Sequence, residues 1–457
     1  MTFAIPLRNC TFESGVVSWG SMVEVGTPPQ RLCLVPSTVI NSTLVSQRSL
    51  CSISNTLESR KCEALRGGFF NENSSTTWTG VSLSAYNDTR SNPTWEQFNA
   101  PGFTEVGYDK INFPNADVAL YGAGIALNQY GNNSNAGMIG LGKDSIFLND
   151  AVRQGHAGSK TWSLDSGSQS LVAPRDGELV IGGYNLGRTD GSFSWSNVSD
   201  MARDRPCPLR TKIIHMSITL PNGVVVPIMS NAEVVEACIE PYDNLFRFTP
   251  GMLLNWKKIT GFNETLLDIY DERTAHNLSF TELGLPYDSS RVEDWSLSIT
   301  LDSGHKTNLP AHELQRPLRG FDNLGNQKTV AGVTNLQILN EPTSDGEVPT
   351  LGKIFLSRVS TSIRDPASKS KSDDGSVLTD DVSELSWCRL WERPVWSCAG
   401  CQQSSARQLC IFCLQWCCRG LQLAVSEQRP DHSRYWHHYR QPRPPFLCRH
   451  SLLVGAA

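Results

Sequence analysis

A tight turn between two β-rich runs is the feature that most constrains how this chain can fold. Residues 26–30 read Gly-Thr-Pro-Pro-Gln; the two prolines fix φ at successive positions, and the glycine is free to take the bend. The run 32–35 that follows is apolar and predicts a strand, which resumes at Leu44 and Val45 after a short polar loop. The stretch 23–45 therefore predicts two strands joined by a specified turn.

The rest of the chain has the same character. With 457 residues it can bury a large core, and its 39% hydrophobic and 19% charged residues are ordinary for a globular protein. Runs rich in Val, Ile, Thr, Ser and Gly outnumber helical periodicities, which favours a mostly β fold. The net charge of −5 gives no electrostatic reason to expect a nucleic-acid partner. No apolar run reaches about 18 residues, so no membrane span is predicted.

Five motifs occur in a fixed order between residues 20 and 358, and together they resemble the pepsin-like aspartic peptidases of the fungal secreted or cell-surface type. They are the turn at 26–30, the loop FNENSSTTW at 70–78, the glycine-rich turn GMIGLG at 137–142, the segment GELVIGGY at 177–184 and the segment LGKIFL at 351–356. The resemblance implies a mostly β, two-lobed acid protease fold with an interlobe cleft. The N-terminal lobe would cover residues 1–195 and the C-terminal lobe residues 196–362. We expect a monomer without cofactor or metal.

The same register identifies the two positions where the family carries its catalytic aspartates. Counting back from Leu44 places the first Asp-Thr-Gly triplet on residues 37–39, so Ser37 stands at the first catalytic position. The second triplet falls on residues 240–242, so Glu240 stands at the second. The chemistry needs two carboxylates about 3 Å apart that share one proton. Ser37 has no carboxylate, and Glu240 carries its own one methylene further out.

These substitutions favour a non-catalytic homologue whose cleft binds an extended peptide or protein by strand addition. The alternative is an active acid endopeptidase that recruits another carboxylate. Two Asp-Ser-Gly triplets, at Asp165 and Asp302, offer candidates. We interpret both as turns, because Asp-Ser-Gly is common turn chemistry and short motifs are weak evidence.

Local signals predict several further elements. Thr249 and Pro250 have the pattern of a helix N-terminus, and the run 296–301 alternates as a strand before a glycine turn. The resemblance places a flap hairpin over residues 95–111. The family's Tyr-Gly flap tip is absent there; Trp95 or Phe98, beside Gly102, would replace it.

Cysteines and sequons indicate an exported protein. The family often closes a small loop after its first active-site strand, which implies a disulfide between Cys51 and Cys62; the pairing of the other cysteines stays open. Eight sequons favour a secreted, vacuolar or cell-surface glycoprotein: Asn9, Asn41, Asn73, Asn87, Asn132, Asn197, Asn263 and Asn277. The N-terminus has no signal-peptide pattern, and we expect it to be truncated.

The resemblance stops after Val359. Residues 363–457 predict a disordered linker and an irregular tail, and the closing strands of the second lobe are missing. From Trp387 onward the sequence holds eight of the 14 cysteines, five of the 12 tryptophans and no lysine, which is typical of translation in a wrong frame or through an intron. The alternative is a zinc-binding tail module with C-x-x-C pairs. Its ligands would come from Cys398, Cys401, Cys410, Cys413, Cys417, Cys418, His432, His437 and His438.

Overall fold

Apolar and alternating runs form strands along most of the chain, which confirms the mostly β prediction. The structure is a computed structural model. It describes residues 1–12, 17–51, 63, 66–82, 84–86, 105–128, 137–197, 207–230, 232–266, 274–275, 278–279, 283–322, 324–339, 342–343, 348–364 and 384–390.

Twenty-four strands are named here in chain order. They are β1 Phe3–Thr11, β2 Val17–Val25, β3 Gln30–Ser37, β4 Thr43–Ser46, β5 Thr79–Val81, β6 Glu105–Phe113, β7 Val118–Asn128, β8 Gly137–Gly140, β9 Trp162–Asp165, β10 Gly177–Ile181, β11 Thr189–Asn197, β12 Arg210–Thr219, β13 Val225–Pro227, β14 Val235–Ile239, β15 Thr274–Ala275, β16 Leu278–Ser279, β17 Leu285–Asp288, β18 Ser296–Leu301, β19 Lys306–Leu309, β20 Gln315–Phe321, β21 Gln327–Leu336, β22 Thr350–Leu351, β23 Val359–Arg364 and β24 Glu384–Leu390.

Helices are few and short among the described residues. The α-helices are α1 Ile146–Arg153, α2 Pro250–Thr260, α3 Ala311–Leu314 and α4 Lys353–Leu356. Short 3₁₀ turns lie at Arg48–Cys51, Glu72–Ser74, Leu186–Arg188 and Ser289–Arg291.

The strands form three sheets in the described part of the chain. The largest has 13 strands in the order β11-β24-β23-β9-β10-β1-β2-β3-β8-β4-β7-β6-β5. A second has the order β19-β18-β12-β14-β22, with β13 also paired to β12, and the third has the order β15-β16-β20-β21-β17. One cluster of buried apolar side chains extends from Ile5 to Val359, so strands that are far apart in the sequence share a core.

The predicted turn at 26–30 joins β2 to β3 and is fixed by the loop at 70–78. The Thr27–Pro28 bond is cis, and the Thr27 amide donates to Ser75 Oγ at 3.1 Å. Gln30 Nε2 donates to the Asn71 carbonyl at 2.9 Å, and the Asn71 amide donates back to Gln30 Oε1 at 2.8 Å. These reciprocal bonds satisfy polar groups of both segments and hold the turn against the loop.

The predicted second-half elements are confirmed. Thr249 caps α2 by accepting from the Met252 amide at 3.2 Å, with Pro250 in the first turn, and the helix buries Met252, Leu253 and Trp256. Strand β18 has the bounds 296–301 and alternates between half-buried and buried residues.

The segment after residue 363 differs from the expected irregular tail at one place. Residues 384–390 form β24, which pairs antiparallel with β11 on one side and with β23 on the other. The sequence Glu-Leu-Ser-Trp-Cys-Arg-Leu suits a strand because polar and apolar residues nearly alternate. By backbone proximity the chain divides into Met1–Glu392, which contains every described residue, and Arg393–Ala457.

Candidate functional site at two facing loops

The first loop of the site follows β3 and covers residues 37–42. Its first residue, Ser37, ends β3 and lies opposite Gly140 in the parallel pairing of β3 with β8. A Cβ on Gly140 would lie 2.6 Å from the Ser42 carbonyl oxygen, so only glycine fits where the loop crosses β8. The chain then continues as β4, in which Thr43 pairs parallel with Ile125 of β7.

The second loop follows β14 and covers residues 240–245. Ile239, the last residue of β14, lies opposite Leu351 in the parallel pairing with β22, so Glu240 comes next to Gly352. A Cβ on Gly352 would lie 2.6 Å from the Leu245 carbonyl oxygen. The chain continues at Phe246, which forms a parallel bridge with Ile338.

The two loops repeat one backbone arrangement at matching offsets. Ser42 and Leu245 each lie five residues after the first residue of their loop, and both meet a crossing glycine, which is Gly140 in β8 or Gly352 directly after β22. The next residues, Thr43 and Phe246, both make parallel pairs. Seven residues into each segment, Leu44 and Arg247 make antiparallel pairs. Ser37 and Glu240 therefore occupy equivalent positions in two copies of one loop.

Hydrogen bonds bring the first residues of the two loops together. Glu240 Oε2 accepts from the Thr38 hydroxyl at 2.7 Å and from the Thr38 amide at 3.1 Å. Its other oxygen, Oε1, accepts from the amide of Tyr242 at 3.1 Å. The extra methylene of Glu240 lets its carboxyl reach across to the opposite loop, 202 positions away in sequence. The side chain joins the two loops.

Burial dominates the electrostatics of Glu240. Its pKa is raised to about 7, because burial penalises the charged carboxylate more than its hydrogen-bond donors stabilise it. The groups that lower this pKa are neutral: Thr38, Tyr242 and Ser37. In contrast to a surface glutamate, Glu240 can therefore hold a proton near neutral pH.

Tyr242 and Arg66 extend the site beyond the two predicted positions. Burial, Asp243 and Glu240 hold the pKa of the half-buried Tyr242 phenol well above its usual range, and Arg66 opposes them. Burial lowers the pKa of the Arg66 guanidinium, which is only 6% exposed. Sequence reasoning missed Arg66, because no motif includes it. It also missed the bond from Thr38 to Glu240, although Thr38 is the one residue of either triplet that matches the family.

Among the described residues, no second carboxyl group is hydrogen-bonded to Glu240, as shared-proton chemistry would need. In the described ranges the hydrogen bonds of the Glu240 carboxyl come from Thr38 and Tyr242. Ser37 and Thr38 are each 0% exposed, so this part of the first loop offers no surface to a substrate. The arrangement can hold or release one proton and can join two loops.

The two alternative aspartates have other partners. Asp165 ends β9 and is 3% exposed; it bonds to Arg175, to Arg188 at 2.9 Å and to the Gly167 amide at 2.9 Å. A carboxylate held by two guanidinium groups at the end of a strand has a structural role. Asp302 is exposed in the hairpin turn between β18 and β19, as predicted. The structure brings neither aspartate into a bond with Glu240.

Two disulfides brace the strands that lead into the loops. Cys10 pairs with Cys33 in β3, and Cys207 pairs with Cys238 in β14. Sequence reasoning left these pairings open, because cysteine connectivity cannot be deduced from spacing alone. The predicted partner of Cys51, Cys62, lies outside the described residues.

The asparagines of the predicted sequons differ in their burial. Asn9, Asn73 and Asn263 are exposed. Asn41 is only 3% exposed, and its Oδ1 accepts from the Asp144 amide at 3.2 Å, so a glycan at Asn41 is incompatible with the folded loop and we correct this prediction. Asn197 lies in β11. The remaining sequons at Asn87, Asn132 and Asn277 lie outside the described residues.

The predicted flap residues Trp95, Phe98 and Gly102 and the cysteines and histidines of the tail also lie outside the described residues. Among the residues that are described, no three His, Cys, Asp or Glu side chains are grouped to hold a metal ion. No described helix is long and apolar enough to cross a membrane.

No family model matches the chain, and no curated protein is significantly similar to it in sequence.

Proposed function

We propose that this chain is a non-catalytic homologue of the pepsin-like aspartic peptidases. Its two-lobed fold would retain an interlobe cleft that binds an extended peptide or protein segment by strand addition. The observation that carries the proposal is the internal repeat of the two loops, which puts Ser37 and Glu240 in equivalent places without relying on the resemblance.

The residues at those places explain the loss of hydrolysis. Acid peptidase chemistry uses one carboxylate to activate water and a second to polarise the scissile carbonyl. Ser37 supplies no carboxylate, and Glu240 is occupied by Thr38 and Tyr242. Pro241 and Tyr242 replace the Thr and Gly of the second triplet, so the second loop also lacks the small residue that allows close backbone approach.

The test is a cleavage assay with denatured protein substrates between about pH 3 and 6, a range set by carboxyl pKa values. Each reaction is run with and without pepstatin, and Glu240→Gln serves as the matched control. We expect no pepstatin-sensitive turnover by either protein. Pepstatin-sensitive turnover by the wild type that is lost in Glu240→Gln would establish the alternative, an active acid endopeptidase.

Binding is tested separately from cleavage. A library of fluorescent extended peptides is titrated into the full chain, and anisotropy is measured. The proposal predicts saturable binding of a subset of peptides, with all peptides recovered intact by mass spectrometry. If no peptide binds while the protein remains folded, the cleft has lost recognition as well as catalysis.

We also propose that the chain acts as a monomeric, exported glycoprotein. The two buried disulfides favour an oxidising compartment, and Asn9, Asn73 and Asn263 present exposed sequons. Expression through a eukaryotic secretory pathway, followed by enzymatic deglycosylation, should lower the mass at these three sites and leave Asn41 unmodified. Site mapping that finds a glycan on Asn41 would contradict the loop described above.

A further inference from the structure

Two features of the facing loops are unexplained when Glu240 is treated as an ordinary carboxylate. The carboxyl lies in a residue that is 8% exposed, and the groups that stabilise its charged form are neutral. The buried Ser37 hydroxyl has no partner with hydrogen-bond geometry among the described residues. Ser37 directly precedes Thr38, whose amide donates to Glu240 Oε2 at 3.1 Å, and the Ser37 hydroxyl lowers the pKa of the Glu240 carboxyl. A buried polar group without a partner needs an explanation.

We propose that Glu240 is a neutral carboxylic acid that donates its proton to Ser37 Oγ, and that this one proton forms a pH-sensitive latch between the two loops. The Oε2 atom already accepts two bonds from Thr38, so the proton belongs on Oε1. A hydroxyl both donates and accepts, which makes Ser37 a suitable partner for the acid. The acid form satisfies both features at once.

Deprotonation changes the latch in a defined way. The proton leaves Oε1 for solvent, and the Ser37 hydroxyl must turn from acceptor to donor toward the carboxylate. The three donors from Thr38 and Tyr242 remain, but a buried negative charge now lies between the loops. The latch is therefore tight in the acid form and weakened in the charged form.

The charged and titratable neighbours of Glu240 come from the second loop, from Arg66 and from the segment after β22, and burial remains the largest influence on the pKa of its carboxyl. The first loop presents no titratable group next to Glu240, since it begins with Ser, Thr and Val. The second loop presents Asp243, which pairs with Arg247 at 2.6 Å, and the Tyr242 phenol, whose raised pKa keeps it neutral in this range. Arg66 acts on Tyr242. In the segment that follows β22, the backbone amide of Lys353 donates to the Asp243 carbonyl at 2.7 Å, and the Lys353 side chain is buried.

The latch rests on the proposed function in that it would regulate the same site by pH. Its formation depends on the contact between the two loops and does not require a bound peptide. It predicts that a peptide-binding cleft built on these loops is best ordered in an acidic environment and loosens above neutral pH.

The test is infrared difference spectroscopy on the full chain from about pH 5 to 8, the range around a carboxyl group that titrates near neutrality. We expect a carbonyl band of a neutral carboxylic acid in the wild type, absent from Glu240→Gln, that disappears with a midpoint near pH 7. The matched control Glu264→Gln, at a side chain that is 63% exposed, should leave the band unchanged.

A second variant tests the role of Ser37. Ser37→Ala removes the donor to the charged form, and bonds to a charged group are the stronger ones, so the midpoint should move upward by about one pH unit. The band frequency should also change, because the acid proton loses its acceptor. If Glu240→Gln does not fold, the wild type and Ser37→Ala still give both midpoints.

The latch is overturned if the wild type lacks the band at about pH 5, or if the midpoint is near 4.5, the ordinary value. An unchanged spectrum in Ser37→Ala would also overturn it. These measurements use neither a peptide nor a cleavage assay. Failure of the latch is therefore distinguishable from failure of the proposed function.

Discussion

The two loops of the site have the same backbone and different chemistry. Both begin beside a parallel strand, both pass a crossing glycine after five residues, and both continue into equivalent strand pairings. The first loop begins with Ser-Thr-Val and supplies donors, whereas the second begins with Glu-Pro-Tyr and supplies an acceptor. The fold of this region is therefore specified by backbone crossings, and the same crossing accommodates different side chains at the first position of each loop.

Glycine has the strictest role in both loops. At Gly140 and Gly352 the position of a Cβ is already occupied by a backbone carbonyl of the loop. No rotamer change can relieve that contact. The residue that begins each loop has no such restriction, so the same backbone arrangement accepts a serine in one loop and a glutamate in the other.

The largest expected effect comes from the two disulfides, which brace β3 and β14. In the chain-entropy account, the Cys10–Cys33 loop of 23 positions and the Cys207–Cys238 loop of 31 positions each stabilise the fold by about 3.5 kcal/mol. We expect C10S/C33S and C207S/C238S to lose similar amounts in urea unfolding. A large loss of unfolding free energy from one disulfide variant and none from the other would contradict the equivalence of the two loops.

The crossing glycines come next. Gly140→Ala and Gly352→Ala should each lower the free energy of unfolding by about 3 kcal/mol, because the new Cβ would lie 2.6 Å from a backbone oxygen. The control is Gly251→Ala in α2, where a Cβ would meet no atom within 4 Å; we expect no loss and up to about 1 kcal/mol of gain. Equal tolerance at all three positions, in matched denaturation curves, would contradict the crossing geometry.

The third prediction concerns pH and distinguishes the two loops, since only the second carries the buried acid. The folded pKa of Glu240 is raised from 4.5 to about 7, so its stabilising contribution is complete below pH 4.5 and is lost as pH rises through 7. The total loss is about 3 kcal/mol at 1.36 kcal/mol per pH unit. Urea unfolding of the wild type and Glu240→Gln from about pH 4 to 8 measures it. The part of the pH dependence of the unfolding free energy that is due to Glu240 should be absent from the variant. If the wild type instead gains stability relative to Glu240→Gln as the pH rises, the raised pKa of Glu240 is contradicted.

The smallest single effect is at Thr38. Thr38→Val removes a buried hydroxyl that donates to Glu240 and should cost about 2 kcal/mol of unfolding free energy, measured below pH 7. The matched control is Thr211→Val in β12, where a buried hydroxyl has no hydrogen-bond partner in the described chain; we expect a change near zero. Similar costs at both positions would mean that the Thr38 bond contributes nothing specific.

Local signals sufficed for much of the fold. The turn at 26–30, the cap at Thr249 and the alternation at 296–301 are short-range features, and each lies where the sequence places it. The register of the two triplets also led to Ser37 and Glu240, because glycines and strands on either side limited the alignment.

Long-range features were out of reach. The bond between Thr38 and Glu240 joins residues 202 positions apart, and the burial of Asn41 arises where its amide oxygen accepts from Asp144. Strand β24 was missed because its pairing partners, β11 and β23, provide the reason for it to be a strand. The polar sequence that precedes β24 predicts a disordered linker instead. Such features depend on tertiary contacts that no local pattern encodes.

The two equivalent loops face each other and are joined through Glu240. A double-mutant cycle with Thr38→Val and Glu240→Leu, measured by urea unfolding, tests this contact most directly. Each single variant leaves a buried polar partner unsatisfied, whereas the double variant removes both partners. We predict that the double variant loses about 2 kcal/mol less than the sum of the single losses. Additivity within about 0.5 kcal/mol would show that the two side chains do not meet and would contradict the account.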